Sequence, residues 1–187
     1  MLLMYRGEWV PTVKAFPSVA GEIEEGIDCY ALEHNTASVF HMMRVAEIGM
    51  RALARERRVT FPKHPLEWAD WQTILDETEK KARAATQGMT RGPIKDAMQA
   101  FYNGAVGQLH GFKDTYRNVV MHVRRSYDEL DALKAINQVR DFMNGLSLKI
   151  GETRCGGAIQ IQRSVRTMFH WTFPASQGRR AAQRIPS

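Results

Sequence analysis

Three side chains with complementary chemistry fall within six positions of one another. They are Arg117, Asn118 and His122, in the stretch FKDTYRNVVMHVRRSYDE that runs from Phe112 to Glu129. An imidazole exchanges its proton near neutral pH, so His122 suits general acid or base work. A guanidinium stays charged and presents planar donors that match phosphate oxygens, so Arg117 suits an anionic substrate. The same residues have a plainer reading: Arg117 pairs with Asp114 at the surface, and His122 is an ordinary, partly buried histidine.

For these groups to act together they must share a helical face. At ~100° per residue, Phe112, Tyr116, Val119, Val120 and Val123 gather on one side of a helix from Gly111 to Arg125. Asp114, Arg117, Asn118, His122 and Arg125 gather on the other, together with His110 and Met121. Arg117 and His122 then flank that face, ~140° apart. The sequence Ser126-Tyr127-Asp128-Glu129 fits an S-x-x-E capping box and predicts a new helix start there.

The rest of the chain reads as the scaffold for this helix. Met1 to Pro17 holds Pro11 and Pro17 without a sustained period, which predicts an extended arm anchored by Trp9 or Phe16. Ser18 is the expected cap of a helix reaching about His34. Ala37 to Arg58 is apolar on most of its circumference, the pattern of a central helix. Its charged stripe is Arg44, Glu47 and Arg51, and Glu47 either pairs within the stripe or faces the Arg117 and His122 region. Further helices are predicted over Trp68 to Ala85, with Trp68, Trp71, Ile74 and Leu75 on the core face, and over Ile94 to His110. In the second, Ile94 joins the apolar face, and Gly104 and Gly107 suggest a close helix approach. The last helix reaches Ile150, with Leu130, Leu133, Ile136, Val139, Phe142, Met143 and Leu146 on its apolar face.

The expected fold is therefore all-α. It is an antiparallel bundle of about five or six helices over residues 18–150, with an extended arm (1–17) and an irregular basic tail (151–187). The tail reads first as a disordered or poorly packed extension, and second as a nucleic-acid-binding segment. It carries six arginines against Glu152 alone, +5 of the chain's net +6, which leaves +1 for the body. Overall charge thus gives no support for a nucleic-acid-binding body, and any such site must come from local clustering.

Several chemistries find nothing to stand on. Neither G-x-x-x-x-G-K-[ST] nor G-x-G-x-x-G occurs, and neither does H-E-x-x-H or G-x-S-x-G. None of the six histidines follows a glutamate by three positions, as a di-iron bundle requires. Cys29 and Cys155 are a distant pair without metal-like spacing. No cofactor and no metal site are expected. The apolar run Met1 to Tyr5 is too short for the core of a signal peptide, and no run approaches the ~20 residues of a membrane span. The expectation is a cytoplasmic protein with no membrane partner.

The pattern Arg-polar-x-x-x-His near the end of a helix resembles the HEPN domain superfamily, which is marked by R-x(4–6)-H with a polar residue after the Arg. Arg117, Asn118 and His122 match it with four intervening residues. Arg57 and Arg58 with His64, and Arg163 with His170, also satisfy the spacing, but neither copy has Asn after the Arg. The stretches FHMMRVAEIGMRAL and RNVVMHVRRSYDELDALKAINQVRDFMNGL are similar in texture to bacterial HEPN-like proteins, and the resemblance covers roughly Ser18 to Ile150.

The resemblance implies a metal-independent endoribonuclease of toxin or phage-defence type that works as a homodimer. Arg117, Asn118 and His122 would be catalytic. Lys113, Arg124 and Arg125 would hold RNA phosphates. Asp114 and Glu47 would play supporting roles. An antitoxin or a nucleotidyltransferase would be a fitting partner. The superfamily also includes catalytically silent modules that bind RNA, nucleotide or a partner protein, and that alternative stays open. A purely structural helical dimer is a third reading.

Overall fold

A computed structural model describes residues 7–121 and 126–152 of the chain. They fold as α-helices joined mostly by short turns, with a longer connection over residues 57–70 and no strand among the described residues. In order the helices are α1 (Val10–Ala15), α2 (Ala20–Ala31), α3 (Asn35–Glu56), α4 (Trp71–Gln87), α5 (Pro93–Phe112), α6 (Asn118–Met121) and α7 (Glu129–Ser147). The all-α bundle expected from the apolar periods is what forms. The basic tail beyond residue 152 lies outside the described residues.

α3 is the axis of the bundle. Val39, Met42, Met43, Val45, Ala46, Met50, Ala52 and Leu53 are all buried, a set too broad for one stripe, and α3 packs against α2, α4, α5 and α7. Two glycines permit the closest approaches. A Cβ at Gly49 would lie 2.5 Å from Met143 Sδ and 3.0 Å from Phe142 Cε1 on α7. A Cβ at Gly26 on α2 would collide with the end of Met42, and the Ser38 hydroxyl donates to the Gly26 carbonyl at 2.8 Å across the same seam.

α2 and α3 are also clasped by charge. The Glu22 carboxylate accepts from His41 Nδ1 at 2.9 Å and from Arg44 Nε at 2.7 Å. Burial alone would raise its pKa, but these hydrogen bonds and the Arg44 charge outweigh burial and hold it below the usual carboxylate range. Both helices end on a left-handed residue. Glu33 has φ 61° and Arg58 has φ 55°. Each ending is locked by a pair of backbone bonds, His34 N to Cys29 O and Glu33 N to Tyr30 O in the first, Val59 N to Ala54 O and Arg58 N to Arg55 O in the second.

The structure corrects several expected details. Over its described part, residues 7–17, the expected arm is helical and not extended, and residues 1–6 lie outside the described residues. Pro11 presets φ in the first turn of α1, so proline starts that helix instead of preventing it. Trp9 and Phe16 on either side are 1% and 0% exposed, and buried Thr12 bonds Asn144 of α7 at 2.7 Å. Ser18 does not cap α2. Its N–H donates to the Glu152 carboxylate at 3.2 Å, and Glu152 N in turn donates to Ala15 O at 2.8 Å. α4 starts at Trp71 because Asp70 accepts from Thr73 N at 3.0 Å. Trp68, left in a preceding 3₁₀ turn, is 79% exposed instead of facing the core. Ile94 and Leu130 are exposed as well. Each lies in the first turn of its helix, where a period cannot say how far the neighbouring element extends. α7 is capped by Asp128, which accepts from Asp131 N at 2.8 Å, two residues beyond the expected Ser126.

Candidate functional site

The candidate stretch does not begin a helix of its own. Tyr102, Ala105, Val106, Leu109, Phe112 and Tyr116 are buried at spacings of three, one, three, three and four, so one apolar face carries α5 straight into it. Lys113–Arg117 then forms a single π turn, in which Asn118 N–H donates to Lys113 O, five residues back. The extra residue in that turn resets the phase of the helix beyond it, so the uniform ~100° period expected from Gly111 onward does not hold through it.

Two tyrosines hold the π turn. The Tyr116 hydroxyl donates to Gln138 Oε1 of α7 at 2.9 Å. The Tyr127 hydroxyl reaches back to Thr115 O at 2.9 Å and Tyr116 O at 3.4 Å, carbonyls inside the turn. Tyr127 is itself fixed at the start of α3, where its N–H donates to Thr36 Oγ1 at 3.0 Å. Both rings are buried, 5.9 Å apart. They act as core and anchoring residues.

Asn118 and Arg117 extend directly from this anchored turn. Arg117 is half-buried, and its Nη1 donates to Asn118 Oδ1 at 3.5 Å. The guanidinium and the carboxamide therefore sit side by side. Asp114 is exposed and pairs with Lys113 at 3.0 Å, so the Asp114 carboxylate is engaged by Lys113. Lys113 Nζ also donates to Gln72 Oε1 at the start of α4, at 2.7 Å. Four candidates, Lys113, Asp114, Arg117 and Asn118, are thus gathered on one turn and the residue after it. Glu47 is ion-paired with Arg51, whose guanidinium also donates to Glu67 O at 3.0 Å. His122, Arg124 and Arg125 lie outside the described residues.

A second feature leaves little trace in the sequence. A cleft of about 500 Å³ lies between α4 and α5. Its floor includes Ala82, Tyr102 and Val106. The Tyr102 hydroxyl donates to Glu56 Oε2 at 2.8 Å, and burial together with that carboxylate pushes its pKa far above the ordinary range. The one sequence signal is the pair Gly104 and Gly107, which suggests a close helix approach. A Cβ at either position meets nothing within 4 Å, so these glycines instead border open space.

Among the described residues, no three His, Cys, Asp or Glu side chains are grouped to hold a metal ion, and no helix is long and apolar enough to cross a membrane. No known family model, curated protein or solved structure matches this chain.

Proposed function

We propose that this chain is a HEPN-like, metal-independent endoribonuclease that acts as a dimer. The observation that supports it is the Arg117–Asn118 pair, set side by side on a π turn that two buried tyrosines anchor. Fixed donors aimed at a developing charge need no reorganisation when the charge forms, which is how a guanidinium stabilises a phosphorane-like transition state. In the reaction a ribose 2′-oxygen bonds to the adjacent phosphorus as the bond to the 5′-oxygen breaks. A base removes the 2′ proton and an acid delivers one to the leaving oxygen. His122 of one protomer supplies one of these roles and His122 of a second copy the other. Toxin or phage-defence biology, with an antitoxin or nucleotidyltransferase partner, is the setting this reading brings with it.

The near-neutral body, at +1, favours a second reading, a catalytically silent module that binds RNA, nucleotide or a partner protein. One experiment separates the two. Labelled RNA is incubated with the wild type, His122→Ala and Arg117→Ala in the presence of EDTA. The nuclease reading expects chelator-resistant cleavage by the wild type and a loss of about 100-fold or more in each variant. Equal cleavage by all three, or none by any, discards it in favour of the silent module.

A further inference from the structure

The cleft between α4 and α5 has a composition that selects its ligand. On α5, exposed Gln99 and Asn103 and half-buried His110 line it, and their side chains make no hydrogen bond to another described residue, which leaves them open to a ligand. On α4, Arg83 faces them and is ion-paired with Glu79. The wall therefore carries two carboxamides, an imidazole and a charge pair that cancels. A phosphate or carboxylate ligand would meet the Glu79 carboxylate, and an aliphatic ligand would strand the carboxamides. A flat, uncharged ring edged with both donors and acceptors meets neither objection, because each carboxamide offers two donors and one acceptor. Asn and Gln side chains read nucleobase edges in this way, and unstacked bases are what single-stranded RNA offers. The volume of about 500 Å³ is in the range of small-ligand sites.

The position of the cleft links it to the π turn. His110 lies at the end of the cleft that leads to Lys113, three residues further along, where Lys113 bridges to Gln72. We infer that the α4–α5 cleft holds one unstacked base of a single-stranded RNA whose backbone passes the π turn at Lys113 and Arg117. This rests on the RNA reading of the site, but it assigns a base-binding subsite to residues outside the R-N-x-x-x-H motif.

Gly107 provides the test. It lines the cleft, whereas Gly104, on the same helix and equally open, does not. Leucine at either position raises helix propensity, so both variants should melt at or above the parent temperature. In a full-length His122→Ala background, binding of fluorescein-labelled 12-nucleotide oligoadenylate, oligouridylate and oligocytidylate is followed by anisotropy over a salt series. The parent should bind the three with a spread of about threefold or more. Gly107→Leu should weaken binding about tenfold and erase the spread without changing the salt slope, because a base contact releases no counterion. Asn103→Ala should also narrow the spread, and Gly104→Leu should match the parent. Equal binding by Gly107→Leu and the parent, equal weakening by Gly104→Leu, or no RNA binding at all overturns the subsite. Cleft-dependent binding without any cleavage by the wild type sinks the nuclease reading and leaves the subsite standing. Cleavage with Gly107→Leu binding unaltered does the reverse.

Discussion

At the residue scale, Tyr127 decides more than its place in the sequence suggests. It lies in a segment that reads as a capping box, yet its hydroxyl serves two carbonyls inside the π turn eleven to twelve residues back. A π turn displaces carbonyls from the regular ladder, and a buried carbonyl left without a donor costs about 1–3 kcal/mol. Tyr127→Phe keeps the ring and removes only that donor. It should lower stability by about 1–2 kcal/mol in urea titrations. If Arg117 and Asn118 are catalytic, it should also reduce RNA cleavage about tenfold under conditions where the variant stays folded, because loosened donors stabilise a transition state less well. A stability loss with unchanged cleavage would mean that the turn does not position the site.

At the element scale, the α2–α3 pair is joined by a small packing seam and a charged clasp. Gly26 and Ser38 close the seam, and Glu22 holds His41 and Arg44. Because the Glu22 pKa is depressed in the folded state, its contribution is complete above the unfolded value and fades as the pH falls through the folded one. Glu22→Gln should therefore destabilise the protein at pH 7, by at most about 1 kcal/mol since Arg44 is half exposed. The gap to wild type should close as the pH drops through the acidic end of the carboxylate range. Thermal melts of both proteins from pH 7 to pH 3 would check this, and a gap that stays constant would rule the clasp out.

At the scale of the whole molecule, the N-terminal segment belongs to the bundle. Trp9 and Phe16 sit in the same core cluster as Met143 and Leu146, and Thr12, Asn144 and Glu8 tie the segment to α7. Phe16→Ala should cost about 3–5 kcal/mol in chemical denaturation, the range for emptying a buried aromatic site. A peripheral arm would lose no more than about 0.5 kcal/mol. The division of charge also acts at this scale. With +5 carried beyond Ile150, the body must bind any RNA through placed groups and not through its general field.

The all-α class, the central place of α3 and most of the core faces were legible in the amino-acid sequence. An apolar period of 3.6 is a local property, and burial tracks it wherever a helix lies along its neighbours. Arg117, Asn118 and their neighbours were legible as a cluster for the same reason, since adjacency along one helix is adjacency in space. The tertiary structure decided what depends on a partner from elsewhere in the chain. Trp68, Ile94 and Leu130 are exposed because none of the described elements covers them. Ser18 is spent on Glu152 instead of capping a helix, and Pro11 opens a helix because α7 offers a surface for it to dock on. The π turn belongs to this second group. An i→i−5 bond is a poor local choice, and here it is accompanied by a tyrosine hydroxyl, brought in by the start of α3, that reaches the carbonyls in the turn. Arg117 and Asn118 could be picked out from residue types and spacing, but their setting side by side on an anchored turn came from contacts that no spacing encodes.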